Sequence, residues 1–137
     1  MKIVLVVDAD FSTSEYLKNL VLQTTKDRGI AAFKANSIAQ ASHDMRAADA
    51  VLVGPNVPSS GVDPDGSRGW LAIYAAAVGS HKIPLVLICN EAKQLKFAKD
   101  MGIDAFPRFT EQEAIACLLS KMQTEMAGRG LRCTNLK

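Results

Sequence analysis

Near its middle the chain reads Asp49-Ala-Val-Leu-Val-Gly54-Pro55-Asn56-Val57-Pro58, a short apolar run that ends in a turn. The run at 50–53 contains no polar residue, as expected for a strand that is buried on both faces of a sheet. Glycine followed by proline stops the strand, because proline fixes φ and has no backbone N–H. The segment therefore predicts a central strand whose carboxyl end opens into a loop that runs to Gly69.

Strand and helix patterns alternate on both sides of this segment. Strands are predicted at 3–7, 30–34, 50–53, 84–89 and 104–106, where apolar residues dominate. Helices are predicted at 12–28, 70–78 and 90–101, and two more begin after Ser37 and Thr110. Residues that commonly cap helices support these starts: Ser12 with Glu15, Ser37, Asn90, and Thr110 with Glu113.

Five strand–helix units in 137 residues predict a parallel sheet with helices on both faces. The right-handed crossover rule makes this a three-layer α/β sandwich, and the strand order 2-1-3-4-5 suits so short a chain. Functional residues of such a sheet are expected at the carboxyl ends of its strands. No internal repeat or linker is visible, so we expect one domain at 1–128 and a basic, flexible tail at 129–137.

The composition argues against several classes of protein. Hydrophobic residues make up 48% and charged residues 22%, which is typical of a globular protein with its own core. A net charge of +2 is too small to indicate nucleic acid or membrane as the main partner. The apolar runs are too short for a membrane span or a signal peptide, so a cytoplasmic protein is expected. The three cysteines form neither a CxxC pair nor a zinc pattern.

Five pieces of the sequence share an order and spacing with one known family. They are Val7-Asp8-Ala9-Asp10, the turn at 54–58, Asp65-Gly66 followed by the third helix, the apolar strand at 83–88, and Ala98-Lys-Asp-Met-Gly102-Ile-Asp104-Ala-Phe106. Together they resemble the response-regulator receiver domain, which is CheY-like and has a flavodoxin-like fold. The resemblance covers nearly the whole chain and implies a site for acyl-phosphate chemistry at the carboxyl ends of the strands.

Much of that implied site is missing from this sequence. Gly54 stands where the family has its phosphoacceptor aspartate, and glycine has no group that can attack phosphorus. Asp8 and Asp10 stand where the family has an adjacent acidic pair that binds Mg²⁺, but Ala9 separates them. Two interpretations stay open: both carboxylates face the cleft and hold Mg²⁺ weakly, or Asp10 turns toward the first helix and caps it.

Three further positions depart from the family. Cys89 replaces a hydroxyl residue at the end of the fourth strand, and a thiol is a poor hydrogen-bond donor. No lysine precedes Pro107, and the nearest cation is Arg108, whose guanidinium suits oxyanions but equally suits an exposed surface. Phe106 occupies the position of the family's aromatic switch, although a phenylalanine there can simply belong to the core.

These losses predict a degenerate receiver that signals through protein–protein contact and is not phosphorylated at position 54. We expect no enzymatic activity and no cofactor beyond weakly bound Mg²⁺. The resemblance implies that another signalling protein docks on the fourth helix, fifth strand and fifth helix. No nucleic acid or membrane partner is expected, and formation of a homodimer stays open.

Two alternatives remain. In the first, the cleft binds or transforms a small ligand, using Arg108 and the long loop at 54–69. In the second, the chain is a receiver that is phosphorylated at Asp8 or Asp10 instead of position 54.

Trp70, which follows the loop, is interpreted either as an exposed interface anchor or as a side chain packed against the sheet.

Overall fold

The computed structural model describes residues 2–26, 28–57 and 67–126. The strands are β1 (Lys2–Val7), β2 (Ile30–Ala35), β3 (Ala50–Val53), β4 (Leu85–Cys89) and β5 (Ala105–Pro107). The helices are α1 (Phe11–Thr24), α2 (Ile38–Asp44), α3 (Ser67–Tyr74), α4 (Ala92–Asp100) and α5 (Glu111–Met126). A 3-10 turn (Met45–Ala47) follows α2, and a π-helical segment (Ala75–Ser80) follows α3. Most of the predicted loop, at 58–66, and the predicted tail at 129–137 lie outside the described residues.

The five strands form one parallel sheet in the order β2-β1-β3-β4-β5, which confirms the predicted order. In this register Val7 pairs with Val53, so the residues that follow them meet at the carboxyl edge of the sheet. The amide of Gly54 donates to the carbonyl of Val7 (2.8 Å) and continues the ladder by one residue. The register therefore places Asp8 and Gly54 side by side.

Helices cover both faces of the sheet and make the predicted three-layer sandwich. Alternate strand residues such as Val4, Val6 and Leu52 pack against α1 and α5 on one face. Their neighbours, including Leu5 and Val51, pack against α2, α3 and α4 on the other. Both faces of the central strands are buried, which explains why these strands are apolar throughout. Among the described helices, none combines the length and apolar character that a transmembrane helix requires.

Two predicted helix caps are wrong. Helix α1 begins at Phe11, and its N-cap is Asp10 instead of Ser12. Helix α4 has Glu91 at its N-cap position, without a side-chain cap bond, instead of the predicted Asn90. By contrast, Ser37 caps α2 as predicted, because its hydroxyl accepts the amide of Gln40 (3.1 Å). In the two wrong cases a neighbouring residue has the extended backbone of an N-cap, a detail that cap propensity alone does not specify.

The π-helical segment after α3 ends in an unusual turn. The amide of His81 donates to Ala76 and that of Ile83 to Ala77, each at 2.9 Å. Between them Lys82 has φ of 59°, in the left-handed region that glycine usually occupies at a helix end. This conformation costs a residue with a Cβ about 1 kcal/mol or more in free energy. The turn thus retains a lysine where the backbone favours glycine.

Candidate functional site

Asp8 is fully buried directly after β1, where the first predicted site residue was expected. Its Oδ1 accepts the amide of Asp10 (2.8 Å), and its Oδ2 accepts the amide of Asn56 (3.1 Å). Burial raises the pKa of Asp8 above its ordinary value of 3.8, and the two backbone hydrogen bonds oppose that rise only in part. Both carboxylate oxygens are therefore already engaged with the loops that they connect.

Gly54 lies against this carboxylate. A Cβ atom built on Gly54 would collide with Oδ2 of Asp8 and would lie 2.9 Å from Cδ1 of Leu17 and 3.0 Å from Cγ of Asp8. Real Cβ atoms do not tolerate such distances from neighbours that are themselves tightly packed. The space that a side chain at position 54 would need is thus filled by Asp8 and α1.

Asp10 caps α1, as one of the two interpretations of the sequence predicted. Its Oδ2 accepts both the amide (2.8 Å) and the hydroxyl (2.7 Å) of Thr13, in the first turn of α1. The hydroxyl and amide of Thr13 hold the pKa of Asp10 below its usual value. Its carboxylate is exposed and bound to its own helix, and its charge lies close enough to Asp8 to contribute to the raised pKa of that buried carboxyl group.

The carboxyl edge does not fit an octahedral Mg²⁺ ion, which prefers several oxygen ligands at short distance. Asp8 uses both oxygens on backbone amides, Asp10 caps α1, and Gly54 offers no side chain. Over the three described stretches of chain, no group of three or more His, Cys, Asp or Glu side chains is placed to hold a metal ion. The donor set is instead that of a hydrogen-bonded structural junction.

Asparagine side chains complete this junction, and the sequence reasoning missed two of them. The Asn36 amide donates to the carbonyl of Asp8 (2.7 Å) and to Oγ of Ser14 (2.9 Å). The Asn56 side chain donates to Oγ1 of Thr13 (3.3 Å). A signal was present: asparagine directly follows β2 and lies shortly after β3, where an amide can bridge several loops.

Cys89 ends β4 and is buried in the core beneath the cleft. Burial raises the pKa of its thiol to about 11, although the charge of Lys99 slightly opposes the rise. The thiol is therefore protonated at neutral pH and is a weak donor. The neighbouring Asn90 lies at the cleft, where its amide donates to the carbonyl of Pro55 (3.5 Å).

Phe106 is the middle residue of β5, and Arg108 directly follows this strand at the other side of the cleft. Phe106 is half-buried against the α1 and α5 layer. Arg108 is exposed, and its guanidinium lies 5.3 Å from the ring of Phe109. Phe109 itself has φ of 72° and is almost wholly exposed. An exposed arginine beside an exposed aromatic ring is a surface feature suited to contact with another molecule.

A cavity of about 270 Å³ joins several of these residues. It lies between the first turns of α1, the turn after β3 and the loop after β5. Arg108 and Pro55 both line this cavity, whereas most of the loop in the small-ligand alternative lies outside the described residues. Its lining residues are Ser12, Thr13, Tyr16, Leu17, Pro55, Arg108, Phe109 and Glu111.

The exposed side of α4 combines apolar and basic residues. Phe97 and Met101 are each 45% exposed, one helical turn apart. Lys93, Lys96 and Lys99 are exposed on the same helix, and Lys96 pairs with Asp100 (2.8 Å). The ring of Phe97 also meets the buried Trp70 edge-on, with centroids 5.8 Å apart. Trp70 is therefore packed in the core, and the exposed apolar residue of this pair is Phe97.

Solved structures share this architecture. The chain is similar to a response regulator receiver domain protein from Clostridium thermocellum, with a TM-score of 0.70 and 12% identity over 94% of this chain and 100% of that one. It is similar to a CheY-like receiver domain protein from Methanospirillum hungatei, with a TM-score of 0.67 and 13% identity over 94% and 99% of the two chains. A two-component response regulator from Clostridium difficile gives a TM-score of 0.63 and 18% identity over 92% and 98%.

Sequence comparisons add no relative. No protein-family model matches the chain, and no curated protein matches it significantly. At identities this low, the structural likeness establishes the fold alone. The chain has the fold of response-regulator receiver domains over nearly its whole length.

Proposed function

Because the chain has the receiver fold with a glycine at the end of β3, we propose that it is a degenerate receiver that acts in cytoplasmic signal transduction. It works through contact with another signalling protein and has no enzymatic activity of its own. It is not phosphorylated at position 54. It needs no bound metal, since its carboxyl edge is held together by internal hydrogen bonds.

The contact between Asp8 and Gly54 carries this proposal. The carboxylate of Asp8 fills the volume of the missing side chain and bonds the turn through the amide of Asn56. Asp8 itself is a poor nucleophile, because both oxygens accept backbone hydrogen bonds and neither reaches solvent. Asp10 is engaged by Thr13. Each carboxylate thus has an assigned structural partner.

Phosphorylation is tested with acetyl phosphate and Mg²⁺, followed by intact-mass spectrometry. We expect no adduct of a phosphoryl group under conditions that fully label an ordinary receiver assayed in parallel. A Mg²⁺-dependent adduct would overturn the proposal. Peptide mapping after borohydride trapping would then decide between Asp8 and Asp10 as the modified residue, which is the alternative form of receiver.

The docking surface is proposed on α4, β5 and α5, as the likeness to receivers suggests. Support comes from the exposed Phe97 and Met101 on α4 and the exposed Arg108 beyond β5. An apolar centre with a polar rim is the usual composition of a protein interface, in which a few residues carry most of the affinity. An acidic or mixed surface on the partner would complement Lys93 and Lys99, since Lys96 is paired with Asp100.

Matched substitutions test this surface. A tagged chain is used to capture partners from the source cell, and the recovered partner is titrated with variants. Met101→Ser should weaken binding at least tenfold, whereas Phe33→Ser should not, because Phe33 is similarly exposed (51%) but lies on β2 at the opposite edge. Equal loss of binding with both variants, or loss with Phe33→Ser alone, would show that the interface lies elsewhere. Light scattering of the same samples reports whether the chain forms a homodimer.

A second candidate function is supported by the cavity between Pro55 and Arg108. Its arginine, hydroxyls and aromatic rings suit a small oxyanion with an aromatic part. Native mass spectrometry of freshly purified protein tests this alternative. A stoichiometric small molecule that is lost in Arg108→Ala, but kept in Arg46→Ala, would favour the ligand-binding function over the docking function.

A further inference from the structure

The opposite edge of the sheet contains a larger cavity than the cleft. It has a volume of about 370 Å³ and lies at the amino ends of β4 and β5, between the end of the π-helical segment and α5. Its volume is within the range of small-molecule sites. None of its lining residues belongs to the carboxyl-edge junction, so its ligand would not depend on the absence of phosphorylation at position 54.

Lys82 at the rim of this cavity is the observation that points to a ligand. Its φ of 59° is a conformation in which glycine would be favoured, and a lysine there costs conformational free energy. Its side chain is exposed and has no ion-pair partner within the described part of the chain. A strained backbone that presents an unneutralised cation at a cavity mouth is a feature expected of a binding site.

The floor of the cavity has a balanced pair of charges. Nζ of Lys121 lies 2.6 Å from Oδ2 of Asp104, and the Asp104 side chain is 2% exposed. This pair contributes no net charge, whereas Lys82 adds one positive charge. The cavity as a whole therefore complements a single negative charge on its ligand.

Apolar side chains line part of the cavity, with Val78, Ile83 and the ring of Tyr74 among them. A ligand that fills this space has an apolar, preferably aromatic, body. We propose that the cavity binds a small amphiphilic monoanion, with its anionic group at Lys82 and its apolar body against Val78, Ile83 and Tyr74.

Three probes with one apolar body and different head groups test the proposal: 4-phenylbutyrate, 4-phenylbutanol and 4-phenylbutylamine. Each is titrated into the full chain and followed by amide chemical shifts. We expect 4-phenylbutyrate to bind at least tenfold more tightly than the alcohol, and the amine more weakly still. The largest shifts should fall on residues 78–85 and 102–104.

Lys82→Gly is the main variant, because it removes the ammonium group while suiting the left-handed backbone, so the protein should fold at least as well. It should weaken 4-phenylbutyrate about tenfold and leave the alcohol unchanged. Lys26→Gln in the turn after α1, outside the cavity, is the control and should alter neither affinity. The proposal is overturned if carboxylate and alcohol bind alike, if Lys82→Gly has no effect, if the shifts lie elsewhere, or if no probe binds. Each of these outcomes leaves the acetyl phosphate test unaffected, and the partner-binding test uses Met101→Ser, which lies outside the cavity.

Discussion

Gly54 and Asp8 lie next to each other at the ends of neighbouring strands, one residue beyond the paired Val53 and Val7. Burying a carboxylate is unfavourable unless it is hydrogen-bonded, and Asp8 meets that condition with two backbone amides from two different loops. The absence of a side chain at Gly54 makes room for this arrangement. At the scale of single residues, the glycine and the aspartate are therefore one structural unit.

Gly54→Ala tests how closely Gly54 packs against Asp8 and Leu17. The new Cβ should collide with Asp8 and Leu17 and lower the free energy of unfolding by about 2 kcal/mol. Urea denaturation monitored by circular dichroism provides the measurement. Gly79→Ala is the matched control, since a Cβ there meets nothing within 4 Å, and it should be neutral or stabilising by up to about 1 kcal/mol.

The same collision should depend on Asp8. In an Asp8→Ala background, the cost of Gly54→Ala should fall by at least half, because the oxygen that occupies the space is gone. Gly54→Asp should not become labelled by acetyl phosphate, since its carboxyl group has no room beside Asp8. An unchanged cost of Gly54→Ala in the double variant would show that Asp8 does not fill the position.

The raised pKa of Asp8 predicts a specific dependence of stability on pH. A carboxyl group whose pKa is higher in the folded state stabilises the fold most below its ordinary pKa of 3.8, and this contribution is lost as the pH rises through the raised value. The difference in free energy of unfolding, wild type minus Asp8→Asn, should therefore decrease from pH 3.5 upward. Asp10 and Glu15 have lowered pKa values and the opposite sign, but both proteins contain them. A difference that grows with pH would contradict the assignment.

At the scale of elements, the start of α1 connects the carboxyl edge to a helix. Asp10 accepts from Thr13, Asn56 donates to Thr13, and the N-terminal turns of α1 line one side of the cleft. An acidic cap is favourable here because it satisfies free amides and lies at the positive end of the helix dipole. The second acidic residue thus caps the helix.

Asp10→Ala should lower the midpoint of thermal unfolding by several degrees, because it removes both bonds to Thr13. Asp10→Asn should retain most of the stability, since asparagine is an equally good cap. Ser12→Ala, at the cap that the sequence favoured, should have little effect, as Ser12 is exposed inside the first turn. These midpoints are measured by circular dichroism with and without 10 mM Mg²⁺. A Mg²⁺-dependent rise that Asp10→Asn abolishes would restore the metal-binding interpretation.

At the scale of the whole molecule, one sheet is shared by two apolar layers. Trp70 belongs to the layer beneath α2, α3 and α4, whereas α1 and α5 cover the opposite face of the same strands. Neither layer can lose its packing without exposing strands on which the other layer depends. The described part of the chain should therefore unfold as a single cooperative unit.

Trp70 makes this measurable, because it is the only tryptophan in the chain and is 3% exposed. Its fluorescence should shift to longer wavelength in a urea transition that coincides with the loss of far-ultraviolet circular dichroism. Ala114→Gly in α5, on the face opposite Trp70, should move both transitions to lower urea together. A fluorescence midpoint that differs from the circular dichroism midpoint would show that the two layers unfold separately.

The apolar runs and their spacing were sufficient to predict the five strands, the layers and the strand order, because these depend on periodicity, chain length and crossover handedness. The sequence also determined that position 54 has no nucleophile and that residues 8 and 10 are acidic. The sequence did not determine what these residues do in the folded protein. Only the folded structure decided that Asp8 fills the space beside Gly54, that Asp10 caps α1, and that Lys82 is strained at a cavity on the opposite edge. The reason is that these features depend on ångström-scale distances between residues far apart in the chain, about which local residue patterns contain no information.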